Sequence, residues 1–329
     1  MKLRTLRKNT AAFLLFICAA VLTLTGYLIV NRRNPVSDVA GAYPVEEDGF
    51  EVTRKDTETG EDIRVAFPRD VHNEDITFEN RYPERELHVV MRTAQTDHFR
   101  ENTVFCNPDK VTQVTCNRTE DGIRLICRLN GLYESDLSLE DNSASVALTK
   151  PQERYTQVIV VDPVRSGAGS DLSLALAERM KRICEESGMG CKLYLTRTDE
   201  RLPEAEAIRN LAETSGASRL LRLIVPAGGG ERSAVVTYND AFFIRTYGND
   251  AFASDVARSM SIVEGMQVNG AMPDAEDELL RAMKIPAATL RIDGVKSAAG
   301  EDEAALDEIA TALWAGIHLG FTEKTGERE

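Results

Sequence analysis

Charged side chains at the predicted ends of strands, in the second half of the chain, are the residues best placed to do chemistry. They are three arginines and three aspartates: Arg165, Arg222, Arg291, Asp162, Asp171 and Asp293. In open α/β sheets ligands gather at the carboxyl ends of the strands, and a guanidinium group matches a carboxylate through two parallel hydrogen bonds. Two interpretations stay open: a basic pocket that binds a carboxylate ligand, or arginines that pair with neighbouring acids and fill space.

The second half contains few residues suited to other kinds of catalysis. Of the four histidines of the chain, only His318 lies beyond residue 150, and its place in an apolar helical pattern predicts a packed or capping role. The other three are His72, His88 and His98. Ser166 and Ser170 have no histidine beside them to act as a base, which argues against a serine hydrolase.

The elements that must position these side chains alternate between strands and helices. Apolar or β-branched runs predict strands at 157–162, 192–198, 219–225, 233–239 and 287–293. Apolar residues at helical spacing predict helices at 171–187, 203–216, 252–263, 278–284 and 303–319. This alternation predicts an α/β domain at 156–322, with a largely parallel sheet and helices on both faces.

The segment before this domain has a different pattern. Short β-like runs such as ELHVVMR at 86–92 and GIRLICRL at 122–129 are separated by turn-forming residues. They predict a small all-β, sandwich-like domain at 62–150. Residues 31–61 are polar and rich in turn formers, which is typical of a linker.

The N-terminus predicts a membrane anchor. The run from Ala11 to Val30 is apolar and uncharged, and as a helix it would span about 30 Å, the thickness of a bilayer core. Basic residues flank it, most of them before it, which predicts a cytoplasmic tail at 1–10 and a single-pass cell-membrane protein with its bulk outside. A cleaved signal peptide is the alternative, although its apolar region is usually only about 7–15 residues long.

The distribution of charge along the chain indicates which classes of partner it can bind. The formal net charge is −14, yet residues 1–33 contain basic and no acidic side chains. The remainder is therefore strongly acidic and should repel nucleic acid.

The six cysteines of the chain show no spacing typical of a structural zinc site. Cys184 is predicted near the end of a helix and Cys191 at the start of the next strand, which would bring them within bridging distance. Cys116 and Cys127 flank a predicted hairpin turn and form a second candidate pair. Buried free thiols are the alternative to both disulfides.

The second half resembles the zinc-dependent N-acetylmuramoyl-L-alanine amidases over about residues 156–321. The similarity lies in these strings, in order: VIVVDP (158–163), LALAERMKRICEESG (174–188), LYLTRTDE (193–200), LPEAEAIRN (202–210), RLLRLIV (219–225), AVVTY (234–238) and ELLRAMKIPAATLRIDG (278–294). The resemblance implies an amidase-like fold and a relation to peptidoglycan. The preceding β domain stands where such enzymes often carry a wall-targeting module.

The resemblance also implies a zinc ion held by two histidines and a glutamate, with a further glutamate as general base. At the corresponding ligand positions this chain has Arg165, Gly169 and Ile224, and Arg291 stands at the position of the base. Zinc requires nitrogen, sulfur or carboxylate donors, and arginine stays protonated in proteins. We therefore expect no zinc, no other cofactor and no catalytic residue.

These expectations combine into a non-catalytic pseudo-amidase that binds peptidoglycan or an envelope protein. Two alternatives stay open. One is an active amidase, or other peptidoglycan hydrolase, with a rearranged site. The other is a structural or regulatory docking protein in envelope assembly, division or sporulation.

Overall fold

The computed structural model describes residues 37–38, 49–57, 60–167, 169–241, 248–296 and 303–325. The predicted cytoplasmic tail (1–10) and transmembrane segment (11–30) lie outside these residues. Among the helices that are described, none is both long enough and apolar enough to cross a bilayer.

The first half consists of short strands with two small helical turns. The strands are β1 (Ser37–Asp38), β2 (Phe50–Glu51), β3 (Arg54–Asp56), β4 (Ile63–Ala66), β5 (Ile76–Arg81), β6 (Glu86–Arg92), β7 (Val104–Cys106), β8 (Val111–Thr119), β9 (Gly122–Leu129), β10 (Glu134–Glu140) and β11 (Ser143–Thr149). A 3-10 turn covers Asn73–Asp75, and helix α1 covers His98–Glu101.

These strands form two sheets around one core. The first has the order β1-β5-β6-β9-β8-β2 and the second β10-β11-β4-β7-β3. Val89 and Leu125 of the first sheet and Val65 and Val146 of the second are buried in the same apolar cluster, because alternate residues of each strand point inward. Strands β2 and β3 fall in the segment assigned to the linker but pair with β8 and β7, so the β part begins before residue 62.

The second half consists of longer elements. Its strands are β12 (Gln157–Val164), β13 (Cys191–Leu195), β14 (Arg219–Ile224), β15 (Ser233–Tyr238), β16 (Gln267–Pro273) and β17 (Ala287–Asp293). Its helices are α2 (Pro151–Arg154), α3 (Leu172–Glu186), α4 (Ala205–Ser215), α5 (Asn249–Met260), α6 (Glu278–Ala282) and α7 (Glu303–Thr325). The predicted α/β arrangement is confirmed.

The sheet of the second half has the order β13-β12-β14-β17-β15-β16. Neighbouring strands are parallel, except that β15 runs antiparallel to β17. Strand β16 was not predicted. Its sequence QVNGAMP contains Gly270 and Pro273 and is largely exposed at the sheet edge, so it has neither the apolar run nor the alternation that indicates a strand.

Helices cover both faces of this sheet. Ile159 and Val161 of β12 belong to the cluster that includes residues of α3, α5 and α7. Val158 and Val160, which point to the opposite face, pack with Ile208 of α4 and other residues of α4 and α6. Because both faces are covered, the strand is apolar at consecutive positions.

The two halves share a buried polar contact. Glu134 of β10 accepts hydrogen bonds from the hydroxyls of Tyr155, at 3.1 Å, and Tyr194, and its carboxylate lies 3.5 Å from Nζ of Lys192. The ring of Tyr82 meets the ring of Tyr194 edge to face, with centroids 4.8 Å apart. The β part is therefore packed against the first two strands of the α/β part and is not merely tethered to it.

Candidate functional site

The candidate site lies where parallel strands β12, β14 and β17 end, and the strand register sets its layout. Asp162 is opposite Arg222, and Arg222 is opposite Thr289. One pleat further on, Ile224 is opposite Arg291. Directly paired residues of a sheet point to the same face, so all five side chains project from the face that α4 and α6 cover closer to the start of the strands.

Arg222 bridges two carboxylates at the centre of this site. Its Nε lies 3.3 Å from Oδ2 of Asp162, and one terminal nitrogen lies 3.4 Å from Oδ2 of Asp277. The Nε contact is within ion-pair distance but lacks hydrogen-bond alignment. Asp277 is the N-cap of α6, where it accepts a hydrogen bond of 3.1 Å from the backbone N–H of Leu280. Arg222 therefore ties the start of α6 to the ends of β12 and β14.

Asp162 is the most buried acid of the group, with 3% of its surface exposed. Burial raises the pKa of its carboxyl, against the hydrogen bond from Thr196 and the charges of Arg222 and Arg197. The Thr196 hydroxyl donates to Oδ1 at 2.7 Å. Desolvation disfavours the ionised carboxylate, and the neighbouring arginines offset only part of that effect.

Arg165 and Arg291 each have an acidic partner of their own. One terminal nitrogen of Arg165 lies 2.8 Å from Oε2 of Glu200, a residue that is 84% exposed. The hydrogen bond and charge of Glu200 raise the pKa of the Arg165 guanidinium. Arg291 contacts both carboxylate oxygens of Asp293, at 2.9 and 2.8 Å, and both side chains are partly exposed.

Asp171 faces a different arginine from those that the sequence singled out. Its carboxylate caps α3 by accepting from the N–H of Leu174 at 3.1 Å, and it lies 2.8 Å from Nη2 of Arg197 without hydrogen-bond alignment. Arg197 is 2% exposed and donates to the carbonyls of Pro163 and Asp199, both at 2.6 Å. Arg197 therefore fixes the loops after β12 and β13 that carry Arg165 and Glu200.

Sequence reasoning missed three charged residues of this network: Arg197, Glu200 and Asp277. The first two lie within the LTRTDE string at 195–200, which was used only as a motif. The available signal for Arg197 was a positively charged residue at the end of a predicted apolar strand. Nothing in the sequence pairs Asp277 with Arg222, because that contact depends on how α6 packs against the sheet.

The residues at the implied metal positions do not fit zinc. Arg165 and Arg291 offer guanidinium groups already held by carboxylates, Ile224 offers an alkyl side chain, and Gly169 offers none. Within the described residues, no group of three or more His, Cys, Asp or Glu side chains is arranged to hold a metal ion. His318 stacks on Trp314, with ring centroids 6.1 Å apart.

The five described cysteines are free thiols and all are buried. The sulfur atoms of Cys184 and Cys191 lie 3.2 Å apart. Cys116 and Cys127 lie on neighbouring strands but are not opposite each other, since Cys116 faces Leu125 and Cys127 faces Val114. The hairpin register therefore separates the second candidate pair, whereas the helix-to-strand turn brings the first pair into contact.

In comparisons with known proteins, this chain matches solved structures but no family model and no curated sequence. The N-acetylmuramoyl-L-alanine amidase AmiC2 of Nostoc punctiforme aligns with 18% identity and a TM-score of 0.41, over 50% of this chain and 97% of that one. The catalytic domain of CwlV, an N-acetylmuramoyl-L-alanine amidase from Bacillus (Paenibacillus) polymyxa var. colistinus, aligns with 19% identity and a TM-score of 0.40, over 52% and 99%.

A third structure is the CwlD amidase from Clostridioides difficile in complex with the GerS lipoprotein. It aligns with 16% identity and a TM-score of 0.37, over 51% of this chain and 99% of that one.

Proposed function

We propose that the second half of this chain is an amidase-like domain that lacks a zinc centre and binds a ligand without cleaving it. The proposed ligand is a carboxylate-bearing part of peptidoglycan, such as a stem peptide. Its proposed place is outside the membrane in which residues 11–30 anchor the chain. The main support is the pair of arginines, Arg165 and Arg291, at positions where the resemblance implies a zinc ligand and a general base.

Electrostatics supports the absence of zinc. Two unit charges at about 4 Å interact by about 4 kcal/mol at an effective dielectric constant of 20, so a divalent ion that close to one guanidinium would be repelled by about 8 kcal/mol. Arginine cannot relieve this repulsion by losing its proton. Neither Ile224 nor Gly169 supplies a donor in compensation.

Arg165 is better suited than Arg222 to bind a ligand carboxylate. Its partner Glu200 is 84% exposed, and exposed ion pairs contribute only about 0–1 kcal/mol. Arg222, in contrast, is held between two carboxylates, those of Asp162 and Asp277. A ligand carboxylate would therefore replace Glu200 on Arg165 and leave the Arg222 bridge intact.

This competition between Glu200 and the ligand carboxylate for Arg165 predicts how two substitutions change ligand affinity. The acidic partners of the site outnumber its arginines by five to four, so a ligand meets no surplus of positive charge and must displace an acid. Replacing Glu200 by Gln removes the competing carboxylate, and replacing Arg165 by Ala removes the guanidinium that donates to the ligand carboxylate. We expect E200Q to tighten binding about two- to fivefold and R165A to weaken it about tenfold or more.

The test is co-sedimentation of the full chain, purified in detergent, with purified wall sacculi. The matched controls are R64A and E140Q, which alter an exposed ion pair of 3.4 Å on the β part and should leave binding unchanged. Opposite effects of E200Q and R165A support the proposal. Equal binding by the two variants and the wild type would exclude this site, and binding that falls only with R64A would locate the ligand on the β part.

A further inference from the structure

The end of α3 and the start of β13 bring two cysteines into contact. Cys184 and Cys191 are 1% and 7% exposed, and their sulfur atoms lie 3.2 Å apart in a thiol–thiol hydrogen bond. The turn between them contains Gly188 and Gly190, both with φ near +64°, a conformation that glycine adopts without steric cost. The chain thus reverses direction within a few residues and holds both thiols on the same side of the turn.

We propose that Cys184 and Cys191 are a modification site that forms an intramolecular disulfide, with a low-molecular-weight or protein disulfide as the oxidant. One cysteine, as the thiolate, attacks the oxidant and releases one thiol, giving a mixed disulfide. The second cysteine, as the thiolate, then attacks Sγ of the first cysteine, which forms the internal disulfide and releases the oxidant's remaining half as the other thiol. The two cysteines are oxidised, the oxidant is reduced to two thiols, and the two cysteine protons end on those thiols.

Burial decides when this reaction takes place. Burial raises the pKa of the Cys184 thiol, with the neighbouring Cys191 acting in the same direction. Since the thiolate is the attacking species, exchange in the folded domain is slow. The disulfide therefore forms before α3 packs against β13, and once formed it is protected from reductants in the folded chain.

The other buried cysteines provide an internal comparison. Cys116 and Cys127 are also fully buried, but each lies opposite an apolar residue of the neighbouring strand. Burial raises the pKa of each to about 12. Burial is thus common to all four thiols, and only the contact between the sulfur atoms sets Cys184 and Cys191 apart.

The disulfide would close a loop of eight residues, Cys184 to Cys191. By the chain-entropy relation, closing a loop of that length raises the folding equilibrium constant on the order of 60-fold. The gain should appear as a higher unfolding midpoint of the oxidised chain than of the reduced chain. A variant with alanine at both positions should show no difference between oxidising and reducing conditions.

The direct test is peptide mapping of the full chain, refolded in detergent with glutathione disulfide and then denatured in an alkylating reagent without reductant. Tryptic cleavage after Arg182 and Lys192 places both cysteines in one peptide, ICEESGMGCK. We expect this peptide to be unalkylated and lighter by two hydrogen atoms than its reduced form. Cleavage at Met189, between the cysteines, should leave two fragments that separate only after reduction.

The peptides that carry Cys116 and Cys127 serve as controls in the same digest and should be alkylated. If both cysteines of the 183–192 peptide are alkylated as well, the proposal is wrong. It is equally wrong if oxidation produces mixed glutathione adducts on them instead of the internal bond. This result does not depend on whether the domain binds peptidoglycan, since the reaction involves neither Arg165 nor any wall component.

Discussion

Replacing the buried arginine of the loop network, Arg197→Met, should strongly destabilise the second half of the molecule. The substitution removes two hydrogen bonds of 2.6 Å to the carbonyls of Pro163 and Asp199, and the charge that faces Asp171 at 2.8 Å. Hydrogen bonds that involve a charged group contribute about 1.5–3 kcal/mol each. Asp171 keeps its capping hydrogen bond and is partly exposed, so the loss of its counter-charge adds little to the loss of stability. We expect a loss of about 3–5 kcal/mol in the free energy of unfolding.

The measurement is denaturant unfolding of the full chain in detergent, followed by the fluorescence of the single tryptophan, Trp314, which belongs to the core of the second half. The matched control is Arg165→Ala. It removes an exposed ion pair of 2.8 Å to Glu200 and should cost no more than about 1 kcal/mol. A loss below about 1 kcal/mol for Arg197→Met, or equal losses for the two variants, would refute the assignment of Arg197 as the residue that fixes these loops.

Three further substitutions test other parts of the molecule. Burial raises the pKa of Asp162 in the folded state, so this carboxyl ionises at lower pH in the unfolded chain than in the folded one. The wild type should therefore lose stability relative to Asp162→Asn as the pH rises above about 4. Unfolding curves of the two proteins, measured in parallel at each pH, test this. Glu134→Gln removes the buried carboxylate that lies 3.5 Å from Nζ of Lys192 and should cost about 3 kcal/mol, seen as a lower thermal midpoint. Gly122→Ala would place a methyl group 2.1 Å from the backbone oxygen of Met91 and should cost at least about 2 kcal/mol, seen as a lower denaturant midpoint.

The α/β core was predictable because burial on both faces leaves a clear pattern. Strand β12 reads as a continuous apolar run, and α3 shows apolar residues at helical spacing with Asp171 as its N-cap. The edge strand β16 was missed because it is exposed and contains glycine and proline. Strands β2 and β3 were assigned to the linker because two or three residues are too few to show alternation.

The sequence predicted where the site lies but not which of its side chains form ion pairs with one another. Strand ends identified Arg222 and Arg291 as site residues, and the ion pair of Arg291 with Asp293 is an instance of the pairing with neighbouring acids that the sequence left open. The partners of Arg165 and Arg222 include Glu200 and Asp277, which come from a loop and a helix N-terminus. Their contacts depend on tertiary packing, which hydrophobic periodicity does not encode. The contact of Cys184 with Cys191 was predictable because a short helix-to-strand turn fixes the distance locally.

The central claim is that the domain binds without zinc and without hydrolysis. Its most direct test is the metal content of the full chain, purified in detergent without chelator, together with an assay for stem peptides released from wall sacculi. We predict no stoichiometric zinc and no release, for the wild type and for Arg165→Ala alike. Stoichiometric zinc with release of stem peptides by the wild type would contradict the account and would require a ligand set that does not include Arg165, Ile224 or Arg291.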